Sequence, residues 1–258
     1  MITQARQQEI VRLAALSDAV DVHDLAELLK VSESTIRRDL QVLERSGALT
    51  RTYGGASVRR DAAAAARAPR HEDHWEESAR YNLDAKRRVG EAAAALVGDG
   101  QTILLDIGTT TPYIAKYLHG RNVVVFTSNI AVFDELRHDP VVTLVLIGGT
   151  WRHNYRSLVG AMAETALDQV RVDTLFLSCT GVRSDGVMDN IAVEASVKKK
   201  MIAAADQIVL VAPAEKFPGR GSLLLCPLDA VGTVITTAGA DQACLDLVKT
   251  TNGKVIIA

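Results

Sequence analysis

Two groups of residues in this 258-residue chain have types and spacings that can do chemistry. The first is residues 31–47, VSESTIRRDLQVLERSG. Ile36, Leu40 and Leu43 recur at helical spacing and turn to one side, Ser32 is a good N-cap, and Gly47 ends the run. Ser34, Thr35, Arg37, Arg38, Gln41 and Arg45 are left for other directions. A short helix with such a face can enter the major groove, where Arg pairs with guanine and Gln with adenine. Hydroxyls near its start can hold phosphates. From Ser34 to Arg60 there are six arginines and two acids, a balance of +4 in a chain of net charge −2. Over residues 1–60 nine basic residues meet eight acidic ones, so the positive charge is concentrated on this helix and the segment after it. That segment, ALTRTYGG, reads as a β-wing carrying Arg51 and Tyr53. The same pattern also suits an amphipathic helix with a solvated charged face, and one arginine can instead bind phosphate or pair with Asp39.

The second group lies where apolar runs end in polar turns. LLDIGTTTPYIAKYL (104–118) is a strand, a glycine, three threonines and a helix. Gly108 permits a tight turn, and Thr109, Thr110 and Thr111 bring hydroxyls beside the backbone N–H groups of a helix start, which suits an anion. Thr also serves simply as a cap. The next run ends at Thr127, Ser128 and Asn129, and the one after it at Gly148 and Gly149. Ligands of parallel sheets gather at the carboxyl ends of strands, so successive polar turns point to one pocket. Ordinary loop punctuation is the other reading. Glu194 and Lys198 share a helical face, as an ion pair or as ligand contacts. Lys216 follows a strand and either neutralises a phosphate or is a surface lysine.

Residues 1–56 read as three short helices and a hairpin. Ile10, Leu13, Ala14 and Leu16 mark the first helix; Asp21 caps a second that carries Leu25, Leu28 and Leu29. Residues 57–85 include the low-complexity run DAAAAARAPR and read as a linker, partly helical where Ala is dense. Residues 86–258 alternate strands (102–105, 123–126, 142–147, 175–177, 208–211, 231–235, 255–257) with helices (87–96, 112–118, 157–170, 192–205). The expected fold class is α/β, with a mainly parallel sheet covered by helices. A hydrophobic fraction of 48% supports a sizeable core, which 4% aromatics leaves to Ala, Val, Leu and Ile. The three cysteines show no ligand spacing, so neither a disulfide framework, a metal nor a cofactor is expected. The polar start MITQARQQEIVRLA and the absence of a spanning apolar stretch point to a soluble cytoplasmic chain without a membrane partner.

At this point the chain resembles a known family. VSESTIRRDLQVLERSGALTRTYGGA looks like the signature of the DeoR-type bacterial transcriptional regulators: the valine, Ser-x-x-Thr, the IRRDL core, the leucine, the glycine and the terminal GGA all match. The resemblance implies a winged helix-turn-helix with Arg37 and Arg38 on the recognition helix. Farther on, K-R-x-V-x-x-A, D-x-G-T-T, T-S-N, G-G, S-L-V-G, E-A and K-F occur in the order of the family's sensor domain. That domain is similar in fold to ribose-5-phosphate isomerase and glucosamine-6-phosphate deaminase, and it typically binds sugar phosphates. By motif, Gly108, Thr109 and Thr110 are implied to hold the phosphate, with Thr127, Ser128, Asn129, Gly148, Glu194 and Lys216 lining the rest. One departure matters: where the family usually has Asp-Ser-Ser-Lys-Phe, this chain has Pro213-Ala214-Glu215-Lys216-Phe217.

The resemblance implies a regulator that binds double-stranded operator DNA as a homodimer or homotetramer. A repressor of a carbohydrate-catabolism operon, relieved by a phosphorylated metabolite, is the expectation. Two rivals carry their own tests. A sugar-phosphate isomerase or deaminase, using Asp106, Asp185, Glu194 and Lys198, would turn over substrate. A winged-helix protein with a non-sensing oligomerisation domain would show no response to metabolites.

Overall fold

The computed structural model describes residues 6–7, 9–10, 19–45, 49–52, 55–58, 75–251 and 253–258. The chain divides into two compact units, Met1–Arg70 and His71–Ala258. Among the described residues no helix is long and apolar enough to cross a membrane.

In the first unit, strand β1 (Ala19–Asp21) leads into helix α1 (Val22–Leu29) and helix α2 (Glu33–Arg45), followed by β2 (Leu49–Thr52) and β3 (Gly55–Val58). Asp21 caps α1, its side chain accepting from the His23 N–H at 2.7 Å. Ile10, Val22, Leu25, Ala26, Ile36, Leu40 and Leu43 form the core. Of the leucines that α1 carries, Leu28 is 64% exposed, whereas Leu25 is buried beside Ala26. Leu13, Ala14 and Leu16 lie outside the described residues. The hairpin read from the sequence is β2–β3, and β1 adds a third antiparallel strand against β3. Three residues long, β1 is stabilised by that distant partner, so no local pattern announces it.

The second unit is built on a seven-stranded sheet in the order β15-β14-β12-β9-β4-β5-β6, with every neighbouring pair parallel. These strands are β4 (Thr102–Leu105), β5 (Val124–Thr127), β6 (Thr143–Leu146), β9 (Val172–Leu177), β12 (Ala205–Val211), β14 (Thr233–Thr236) and β15 (Lys254–Ile257). Adjacent residues of a strand face opposite sides of the sheet, so each strand feeds two cores. Ile103, Leu105, Phe176 and Val209 pack with helices α4 (Leu83–Ala94), α5 (Thr111–Lys116) and α6 (Ile130–Leu136). Leu104, Leu175, Leu177 and Leu210 pack with α7 (Ala161–Leu167), α8 (Ala192–Ala203) and α9 (Gln242–Thr250). A further short helix, α3 (Trp75–Arg80), precedes α4. The chain runs outward from β4 through β5 to β6, then crosses back to β9 and runs outward the other way. The topological switch therefore falls between β4 and β9, and open α/β sheets take their ligands outside the carboxyl ends of the strands at such a point.

Two antiparallel additions follow the strand ends. The hairpin β7 (Thr150–Arg152) and β8 (Ser157–Val159) comes after β6. The small sheet of β10 (Gly181–Arg183), β11 (Gly186–Asp189) and β13 (Leu223–Cys226) begins directly after β9. Residues 157–170, expected as one helix, are split: Ser157–Val159 pairs with Thr150–Arg152, and the helix starts only at Ala161. Gly160, at φ 92°, makes the break, since only glycine adopts that conformation freely. All three cysteines are free thiols.

Candidate functional site

The first candidate surface is the outer face of α2. Ser32 caps the helix, its hydroxyl accepting from the Thr35 N–H at 3.3 Å and lying 2.9 Å from the hydroxyls of both Ser34 and Thr35. Ser34, Arg37, Arg38 and Gln41 are all exposed, and their spacing of three, four and seven places them on one stripe, opposite buried Ile36, Leu40 and Leu43. Arg37 donates to Glu33 one turn earlier at 2.9 Å, whereas Arg38 is exposed and makes no ion pair among the described residues. Asp39 takes neither of them. It is buried and accepts from Arg6 Nε at 2.6 Å and from Gln7 Nε2 at 3.0 Å, so its charge fastens the first helical segment to α2. Of the two alternatives open for an α2 arginine, pairing with Asp39 is therefore not the one the structure shows. Thr35 is half-buried. Arg45 is the last residue of α2 and Arg51 lies on β2 opposite Ala56, while Tyr53 lies outside the described residues.

The second candidate is the crevice at the switch point. Its floor is a buried charged network. Asp106, at the end of β4, accepts from the Ile107 N–H at 2.6 Å and from the Ser178 N–H and hydroxyl at 2.9 and 2.6 Å. Lys198, projecting from α8, sits 3.2 Å from Asp106 and 2.9 Å from Asp189 at the end of β11. It also donates to the Ser178 carbonyl at 3.1 Å. Burial disfavours the Lys198 charge, but the Asp106, Asp189 and Glu194 carboxylates outweigh it and hold the ammonium above its ordinary value. Burial raises Asp189 as well, but the Lys198 charge together with the hydrogen bonds from Lys198, Ile191 and Asn190 outweighs it, so its carboxyl stays below the usual range. Glu194 and Lys198 thus share a helical face without pairing. Glu194 instead accepts from Arg152 on β7 at 2.7 Å and from the Ser157 hydroxyl on β8 at 3.2 Å, which ties the β7–β8 hairpin to α8. Burial pushes Glu194 up to about 7 against the pull of Lys198 and Arg152.

The polar turns above this floor divide into scaffold and opening. Gly108 is glycine because a Cβ there would lie 2.1 Å from the Ser178 hydroxyl oxygen. The Thr111 hydroxyl donates to the Asp106 and Gly108 carbonyls at 2.6 and 3.0 Å. The Asn129 amide donates to the same two carbonyls at 3.2 and 2.9 Å, while its oxygen caps α6 by accepting from the Ala131 N–H. Thr127 donates to the Leu105 carbonyl and accepts from the Asn129 N–H. Thr127 and Asn129 are therefore spent on holding the 106–111 loop in shape. Ser128 between them is fully buried, and its hydroxyl has no hydrogen-bond partner among the described residues. Thr110 is buried at the start of α5 without a side-chain cap bond. Half-buried Thr109 lines a cleft of about 320 Å³ with Trp75, Tyr113, Lys116, Asp134 and Arg156. Gly148 has open space where a Cβ would be; the close approach is at Gly149, whose Cβ would meet the Val159 carbonyl at 2.7 Å.

Two ammonium groups come together where the start of α4 meets the turn after β12, these two elements being joined by the Asn82–Glu215 hydrogen bond. Lys216 is half-buried in the turn after β12 and lies within electrostatic reach of Cys179, which follows β9. Lys86, in the first turns of α4, is buried, and its ammonium donates to the Ser78 carbonyl. Burial, reinforced by Lys216 and opposed by Glu215, pushes Lys86 down to about 8. Lys86 stood in the sequence inside the K-R-x-V motif but carried no role there, because its proximity to Lys216 arises from folding across 130 residues. Asp106, Asp189 and Arg152 were missed as a network for the same reason.

A lysine held by two buried aspartates is a closed structural unit rather than a poised acid–base pair. The known proteins accord with that. Residues 6–61 match the DeoR-like helix-turn-helix domain, and residues 81–238 match the DeoR C terminal sensor domain. An uncharacterized HTH-type transcriptional regulator of Bacillus subtilis, YulB, is 32% identical over 99% of this chain and 96% of its own. The transcriptional repressor AccR of Agrobacterium fabrum is 31% identical over 92% and 90%. The HTH-type transcriptional repressor CsqR of Escherichia coli is 33% identical over 82% and 79%. Among solved structures, ribose 5-phosphate isomerase A of Methanocaldococcus jannaschii aligns with 50% of this chain and 52% of its own at 19% identity and a TM-score of 0.37, too slight an overlap to bear on function. With both of its domains matched in order, and with relatives of the same length that are named as regulators, the chain belongs to the DeoR family of helix-turn-helix transcriptional regulators.

Proposed function

We propose that this regulator is a repressor of a carbohydrate-catabolism operon that releases its operator when a phosphorylated sugar or related metabolite enters the switch-point crevice. The observation that carries this reading is the grouping of Lys86 and Lys216: the Asn82–Glu215 hydrogen bond joins the start of α4 to the turn after β12, and the Lys216 charge acts on the buried Lys86 ammonium. A buried lysine whose near neighbour is a second lysine gains from an anion between them, and a phosphate dianion suits two ammonium groups. Thr109 and Thr110 offer hydroxyls on one side of that opening, and Ser128 offers a buried one. Two relatives are named repressors, and a third, from Escherichia coli O157:H7, is named a putative aga operon transcriptional repressor. On DNA, Arg38, Gln41 and Arg37 read base edges, Ser32, Ser34 and Thr35 hold phosphate, and Arg45, Arg51 and Tyr53 extend the contact. A homodimer or homotetramer would recognise repeated half-sites about 10 base pairs per turn apart. The test is anisotropy of labelled DNA from upstream of the chain's own gene, at fixed salt, against a panel of phosphorylated sugars. Selective binding released by one compound supports the reading. Binding that no compound alters removes the sensor role.

A further inference from the structure

The opening carries a carboxylate that the family pattern does not place there. Glu215 stands in the tight turn Ala214–Lys216, which is fixed at both ends: the Ala214 N–H donates to the Thr237 hydroxyl at 3.0 Å, and the Lys216 N–H to the Pro213 carbonyl at 2.9 Å. Glu215 is exposed, and its Oε2 accepts from Asn82 Nδ2 at 3.0 Å. Asn82 takes the left-handed conformation, φ 50°, directly before α4, so this contact sits one turn from Lys86. Glu215 and Lys216 both act on the Lys86 ammonium, in opposite directions. The anion position is thus bordered by a negative charge whose second oxygen, Oε1, has no partner among the described residues. An ionised carboxylate only accepts hydrogen bonds. Beside a bound phosphate it can receive a hydroxyl, and it repels a second anion.

Resting on the anion-binding reading of this crevice, we propose that Glu215 is a specificity-determining residue, which admits a phosphorylated sugar or polyol with a hydroxyl near its single phosphate and excludes ligands with a second acidic group there. Asn82 orients the carboxylate, leaving Oε1 for the ligand hydroxyl. Pro213, in place of the family's acidic residue, moves the negative charge two positions along the chain, from 213 to 215.

Glycerol 3-phosphate and 3-phosphoglycerate test this directly, because they differ in one hydroxymethyl against one carboxylate. Calorimetric titration of the full chain, at about 0.15 M salt so that exposed charges are realistically screened, should give wild type a preference for glycerol 3-phosphate of about tenfold. Glu215→Gln keeps an acceptor and removes the charge. It should shrink that preference to within about threefold, chiefly by gaining affinity for 3-phosphoglycerate. An unchanged preference in Glu215→Gln, a wild-type preference for 3-phosphoglycerate, or failure of both proteins to bind either compound overturns the proposal. Lys86→Met separates the two layers. If it abolishes binding while Glu215→Gln leaves the preference intact, only the role of Glu215 falls. If Lys86→Met binds both compounds as wild type does, the anion-binding reading falls with it.

Discussion

Replacing Lys198 with Met should cost the sensor unit about 3 kcal/mol or more of stability. The Lys198 side chain is 4% exposed and its partners Asp106 and Asp189 are 0% and 3% exposed, so water cannot take over the lost counter-charge. Breaking a buried pair from one side typically costs about 3–5 kcal/mol. The lower figure is apt because both carboxylates keep other donors: the Ile107 and Ser178 N–H groups for Asp106, and the Asn190 and Ile191 N–H groups for Asp189. For a unit of this size, about 3 kcal/mol corresponds to a fall in Tm of roughly 6–12 °C. The assay is urea unfolding of both proteins across pH 4–8. In wild type, Asp189 has a lowered pKa, so its contribution is present above the ordinary carboxylate range and fades as pH falls. In the variant, Asp189 keeps only its backbone N–H donors against burial, so its pKa rises above that in wild type and the variant gains relative stability as pH falls. The gap must therefore narrow toward pH 4. A Lys198→Met/Asp189→Asn double variant should recover part of the loss, since one of the two stranded charges is gone. A loss under about 1 kcal/mol, or a gap that widens toward acid, would refute the reasoning.

Other consequences can be measured alongside. Glu194 has a raised pKa near 7, so the stability it confers is full below about pH 4.5 and is lost as pH rises through 7; Glu194→Gln should flatten that slope in denaturant titrations, and an unchanged slope counts against the assignment. Gly108→Ala drives a methyl into Ser178, which Asp106 pins, and should cost about 1–3 kcal/mol. Gly148→Ala enters open space and should stay within about 0.5 kcal/mol, so equal effects would discredit the packing argument. Arg38→Ala should lose about 1–3 kcal/mol of operator affinity and relax specificity if Arg38 reads a base. A uniform loss on all sequences, with a salt slope reduced by about 1, marks a phosphate contact instead.

Periodicity made the frame legible. The strand at 102–105 follows from a short continuous apolar run, because its successive residues feed the cores on both sides of the sheet, and the α2 stripe follows from a repeat of 3.6. Short elements escaped. β1 and β13 have three and four residues and exist through partners far along the chain, and β10 is a three-residue arm of a tight hairpin with β11. Helix α6 begins at Ile130, within a run whose cap residue Asn129 had been assigned to ligand binding. The Glu194–Lys198 spacing was read correctly as one helical face, but what each side chain meets there, Arg152 and Asp106, comes from other elements.

The strand-end turns show why polar motifs overstate ligand contact. A loop that must expose N–H groups and hydroxyls to a ligand has to be held open, and the residues that hold it are also Thr, Asn and Gly. Thr127, Asn129 and Thr111 satisfy backbone carbonyls at the loop's base, so their hydrogen-bonding capacity is largely used before any ligand arrives. Within these turns the Ser128 hydroxyl keeps capacity to spare, and the charged groups that do come from elsewhere: Lys86 from the start of a helix, Lys216 and Glu215 from the turn after β12. The turns set the shape of the crevice, and the residues that select its ligand are the charges brought in from elsewhere. A variant that disturbs Asn129 should therefore lower stability and ligand affinity together, whereas one at Glu215 should change ligand choice and leave unfolding untouched.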